Sequence, residues 1–250
     1  MDFFTMINIF SVPKTYDETL NKLAFVNLLV LGVTFFLIDV HTGLFSQAVY
    51  SVFQMSIDRL SLQEKSVFLT LFPAGVISFL FTLLFRFIRL HDCISDLFNI
   101  RSYFDIQLIL KPLADASGIK INKKNLSKLE AKRRTIMGEV FYKYASFNNP
   151  QIDTQVVSNS RDHWYWFWIF LETSFIFTFL SFFMLGAAVI NSRSDFFSCA
   201  EVLCGLSFLG GIFLWVSWRR CKSGAERQVA IIIADATRKG DIKVYLDSEI

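Results

Sequence analysis

The sequence predicts an all-α integral membrane protein with four transmembrane helices in two pairs. A small cytosolic helical domain is expected between spans two and three, and a short cytosolic segment follows span four. Three observations carry this prediction. The chain is 53% hydrophobic and 19% charged, with a mean hydropathy of +0.44, more apolar than an ordinary soluble domain. Its apolar residues are gathered into four long runs. Its basic residues are concentrated in two polar segments, the asymmetry that orients membrane proteins.

Residues 1–22 form a polar N-terminal segment with two lysines against three acidic residues. Residues 23–38, LAFVNLLVLGVTFFLI, are the first span, short enough that its last turn must lie in the headgroup layer near Asp39. A cleaved signal peptide is the alternative. Asp17 and Glu18 before the run and the lack of a clean small-x-small site after it argue against cleavage. Residues 42–57 are too polar to span and too apolar for a free loop, which predicts a helix at the outer face or a partly buried hairpin arm. SLQE, Ser61 to Glu64, matches a capping box. Residues 66–85 contain no charge over twenty positions, enough at about 1.5 Å per residue to cross a hydrocarbon core of roughly 30 Å. Residues 23–85 thus make the first helix pair with its outer connector.

Residues 86–162 carry thirteen basic and eight acidic residues and are predicted to fold as a basic cytosolic helical domain. Phe87, Leu90, Ile94, Leu97 and Phe98 recur at helical spacing, so span two is expected to continue as a helix beyond the membrane. Lys111 and Pro112 break or restart a helix, and Ser117 with Gly118 offers a second stop. IKINKK, residues 119–124, reads as a short exposed edge or a loop. Asn125 is expected to cap a helix over residues 126–146, with Lys128, Lys132, Arg133 and Arg134 largely off its apolar side.

The second helix pair occupies residues 163–218, with Glu172 in span three and Glu201 in span four. Trp164, Tyr165, Trp166 and Trp168 follow Arg161, and Trp215 and Trp218 precede Arg219 and Arg220, as interfacial aromatic belts do. Residues 219–250 carry seven basic against five acidic residues. With four spans, both positive segments and the N-terminus share one side, predicted to be the cytosolic face of the inner (plasma) membrane. Residues 224–238 read as a helix, while DIKVYL at 241–246 alternates like a strand.

Membrane polar residues are the candidate functional ones, because exposing a charge to lipid costs several kcal/mol. Glu172 lies roughly 12 Å beyond Trp164 and Glu201 roughly 25 Å from Trp218, so they are not expected to pair within one subunit. Asn27 is placed to meet Glu172. These three line a polar path or hold helices together. Ala200, Cys204, Ser207 and Gly211 form a small-residue seam along span four. Lys128, Lys132, Arg133 and Arg134 are the candidate contact for a soluble protein partner, anionic lipid or a nucleotide signal. Nucleic-acid readout lacks the aromatic-basic alternation it would use.

No metalloprotease, nucleophile-elbow or phosphate-loop motif occurs, and no cofactor or metal is predicted. His91, Asp92, Cys93 and Asp96 are the nearest polar constellation, and an interfacial membrane enzyme using His91 and Asp92 is the most distant reading. The favoured expectation is a homo-oligomer in which a signal-responsive cytosolic domain regulates an ion channel or pore. The competing one is a non-conducting anchor or scaffold that recruits a soluble partner. In layout alone, the chain resembles bacterial stress and antiviral effectors, a likeness that assigns no residue.

Overall fold

The computed structural model describes residues 11, 13, 15–58 and 61–249, so most of the predicted N-terminal segment lies outside the described residues. The described chain is helical, with no strand among the described residues. It divides into two compact units. The first is built on Thr15–Leu90 and Trp168–Leu214, the second on His91–Phe167 and Trp215–Ile250.

In the first unit, α1 spans Tyr16–Thr42, opened by Thr15, whose hydroxyl accepts from the Glu18 amide at 3.1 Å. It ends at Gly43, whose φ of 64° is left-handed and whose N–H reaches the Asp39 carbonyl. The Asp39 side chain also accepts from the amides of Phe45 and Ser46 at 2.8 and 2.9 Å, capping α2, Leu44–Ile57. Asp39 is therefore 4% exposed and satisfied inside the fold, and α1 continues past the predicted end of span one. The capping box at Ser61 and Glu64 is formed and opens α3, Leu62–Ile88, which packs along α1.

Helices α1, α3, α10 (Thr154–Asn191) and α11 (Ser194–Ala234) are each long and apolar enough to cross a membrane. They share one core that includes Leu31, Phe35, Ala74, Ile176, Met184 and Leu203. Large apolar side chains also face outward, among them Val33, Phe79, Phe182 and Phe208 at 53–70% exposure.

The second unit departs from several sequence expectations. Span two does not run on as one helix, because Arg89 and Asn99 adopt left-handed φ values of 52° and 53° on either side of α4, Leu90–Leu97. Pro112 marks the restart of a helix, as expected. It sits in the first turn of α6, Lys111–Ala116, where a missing N–H costs little, directly after a π-helical run, Phe104–Leu110, that itself follows α5, Ile100–Tyr103. The next helix is capped by Asn122, not Asn125, and breaks at Lys132 after α7, Lys123–Ala131. The chain then resumes through α8 (Arg133–Met137), a second π run (Gly138–Tyr142) and α9 (Lys143–Ala145). The DIKVYL stretch is helical, inside α12, Ala236–Glu249, where Ile242 and Leu246 are buried one turn apart. Around them lie a conventional interior that includes Leu110, Leu113, Leu129, Ile136 and Val140, each at 0% exposure.

Candidate functional site

The candidate residues of the first unit resolve into one pair and one isolated group. Asn27 on α1 donates from Nδ2 to Glu172 Oε2 on α10 at 2.6 Å, with the two residues 4% and 2% exposed. A buried carboxylate needs donors of this kind, since desolvating it without them is costly. Other hydroxyls in this interior are served locally: Thr34 donates to Val30 O and Ser78 to Ala74 O. Thr82 Oγ1 and Ser174 Oγ are buried without a hydrogen-bond partner among the described residues. Glu201 is in neither arrangement, for it is exposed on α11 beside the exposed Cys204 and Gly205.

The small-residue seam is displaced from its predicted line. Ala200 is buried and the Ser207 hydroxyl meets that of Thr178, but Cys204 and Gly211 are exposed and nothing lies within 4 Å of where a Gly211 Cβ would be. The close approach falls at Gly210, where a Cβ would sit 2.7 Å from Ser174 Oγ and 3.5 Å from Ser174 Cα. Phe196, Leu203, Gly210, Ser217 and Gly224 recur every seven residues, and that heptad, not the four-three-four spacing of small side chains, marks the packed line of α11.

The aromatic residues divide as well. Trp215 is 58% exposed, with the Arg219 guanidinium 5.0 Å from its ring centre. Trp164 and Trp218 instead pack edge-on against the fully buried Phe104, at centroid distances of 4.5 and 4.4 Å. Tyr165 and Trp168 are 1% and 7% exposed, and Trp166 is half-buried. Most of the predicted belt therefore contributes to packing within this chain.

The predicted basic surface is split because the helix breaks at Lys132. Lys128 and Arg134 are exposed, and Lys132 pairs with Glu249 at 2.7 Å. Arg133 turns inward to Asp105 at 3.6 Å, both side chains being 14% exposed. Burial pushes the Asp105 carboxyl up to about 6 despite the opposing pull of Arg133, Arg101 and Arg134. His91 is buried with Nε2 3.5 Å from Asp92 Oδ1, and Arg101 reaches the same oxygen at 3.4 Å. Cys93 and Asp96 are exposed, and no group of three His, Cys, Asp or Glu side chains suited to a metal ion occurs among the described residues.

Sequence reasoning missed one feature of the second unit. Where α10 and α11 run side by side, a cleft of about 150 Å³ is lined by Asn159, Ser160, His163, Arg220, Ser223 and Arg227. Arg220 and Arg227 stand seven residues apart on α11, and Gly224 between them permits the approach, since a Cβ there would lie 2.9 Å from Ser160 Oγ. The signal was present in the sequence as two arginines in heptad register around a serine and a glycine. Arg220 also stands beside Arg219 just past a membrane-length run, where basic residues have a topological reading of their own.

No curated protein and no solved structure matches the chain. The model of the YmfE protein family matches residues 15–246. Since that match takes in both units and all four long apolar helices, the chain belongs to the YmfE protein family.

Proposed function

We propose that this chain is a multi-pass inner-membrane protein whose water-facing domain binds a signal or partner on the cytosolic side. α1 with α3 and α10 with α11 form the spans. The observation that carries the reading is the pattern of the first unit. Phenylalanine and leucine face outward along helices of spanning length, while the Asn27–Glu172 hydrogen bond is enclosed. Because Glu172 is engaged inside the chain, a single copy serves better as an anchor for the second unit than as a conduit.

The test is thiol labelling of a chain carrying Cys199→Ala, Cys204→Ser and Cys221→Ala, which leaves the exposed Cys93 as the target. Cys93 should resist an impermeant maleimide in intact cells and react after permeabilisation. A second chain with Cys93→Ser and Gln47→Cys should give the reverse pattern. Equal reactivity of both positions in intact cells, or a chain that stays soluble without detergent, ends this reading.

One observation favours a second reading, an oligomeric channel-like assembly. Glu201 is exposed on a helix of spanning length, where lipid would be a poor environment, and a neighbouring copy would shelter it. Copper-catalysed cross-linking through Cys204, three residues away, tests for that neighbour. Ion flux in liposomes that changes in Glu201→Gln would favour the path, whereas an impermeable, uncross-linked chain leaves the anchor.

A further inference from the structure

We infer that the cleft between residues 156–163 of α10 and residues 220–227 of α11 is a binding site for a phosphate-bearing anion. The inference deepens the reading of the second unit as a binding domain, on which it rests. Arg220 and Arg227 are one heptad apart, so their side chains leave the same face of α11 about 10 Å apart along the axis. Neither makes an ion pair among the described residues, whereas Arg101, Arg133 and Arg238 of the same unit do. Two guanidiniums facing one space without a carboxylate repel each other, and an oxyanion bound between them relieves that repulsion with charge-assisted hydrogen bonds.

The remaining lining supplies neutral donors. Asn159 has its carbonyl oxygen occupied by the Gln155 side-chain amide at 2.8 Å, which leaves its own N–H groups for the cleft. Ser160 and Ser223 contribute hydroxyls and His163 an imidazole, and no acidic side chain lines the space. Glu226, the nearest carboxylate along α11, is held by Lys222 at 3.8 Å. The cleft volume of about 150 Å³ compares with roughly 30 Å³ for one liquid water, so a phosphate group fits. Gly224 is part of the construction, because its missing side chain lets Ser160 lie against α11 at a level between the two arginines.

Phosphate occurs on membrane lipids and on free metabolites, and the experiment separates these sources. The full-length chain, purified in detergent and stripped of lipid, is titrated with inorganic pyrophosphate and, separately, with nanodisc lipid containing phosphatidylglycerol or only phosphatidylcholine. Binding is followed by native mass spectrometry and by thermal shift. Saturable binding of pyrophosphate or a preference for phosphatidylglycerol is expected, weakened about tenfold or more in Arg220→Gln/Arg227→Gln. The control variant Arg219→Gln/Lys222→Gln removes the same charge outside the cleft and should bind like the parent. Pyrophosphate binding alone identifies a soluble ligand, and lipid preference alone a headgroup. The inference is overturned if neither probe binds, if the double arginine variant binds as the parent does, or if the control variant loses as much. Circular dichroism and the monodispersity of each variant show that binding is compared between folded chains. Alkali extraction of the same membranes reports membrane integration independently, so an integrated chain that binds no phosphate sinks this site and leaves the proposed function standing.

Discussion

Both units have apolar cores, but they differ in the charged and amide side chains they enclose and in what they turn outward. In the first, Lys22, Asn27, Asp39, Thr82 and Glu172 are inside while Leu80, Phe182 and Phe208 face out. In the second, Leu110, Leu129, Ile136 and Leu246 are inside, and exposed arginines and lysines line the surface. The same substitution should therefore have different consequences in each unit.

The sharpest way to break the contrast is to make the first unit's interior apolar on one side only. Asn27→Leu should lower stability by about 3 kcal/mol, because it removes a donor from a buried carboxylate, while Glu172→Gln keeps an acceptor for Asn27 and should lose far less. Thermal unfolding of the two variants in detergent decides it, and equal losses would mean that the pair is not the stabilising feature. Gly210→Leu should cost about 2 kcal/mol by overpacking against Ser174, whereas Gly211→Ala, with open space around it, should be neutral or slightly stabilising. Similar losses at both positions would restore the seam predicted from small residues.

The second unit is better tested by pH. The Asp105 carboxyl is raised from 3.8 to about 6 in the fold, so between those values the folded state holds more protons than the unfolded one. Stability should fall as pH rises from about 4 to about 6 and stay lower above that. The loss should be on the order of 1–2 kcal/mol, and Asp105→Asn should flatten the slope. Denaturant midpoints across that range check it, and an unchanged slope in the variant would place the titration elsewhere. Lys132→Ala should do least, with no measurable shift in Tm, because its pair with Glu249 is solvent-exposed.

Long periodic signals were legible. The four spanning-length helices, the capping box at Ser61 and the partnership of Asn27 with Glu172 all follow from run length, a four-residue motif and depth counted along a helix. What the sequence concealed were local choices decided by tertiary contacts. Asn122 and Asn125 are both competent caps, and in the fold the Asn122 side chain accepts from the Asn125 amide. DIKVYL alternates as a strand would, yet Ile242 and Leu246 are buried at helical spacing. The cleft arginines were hidden because charge next to a membrane-length run has a ready topological explanation, and their common face emerges only once α11 is known to continue unbroken to Ala234.

The π-helical runs at 104–110 and 138–142 carry a separate consequence for how this family can vary. A wide turn holds one more residue than the α-turn it replaces, so each run sets the angular phase of everything downstream on that rod. Removing a single residue from either would close the wide turn to an ordinary α-turn and leave the following side chains near their present phase, whereas a deletion in a flanking α-turn would swing them by about 100°. Single-residue deletions within these two runs should therefore be tolerated better than deletions in the helical turns beside them, and a deletion scan would locate them as narrow permissive windows.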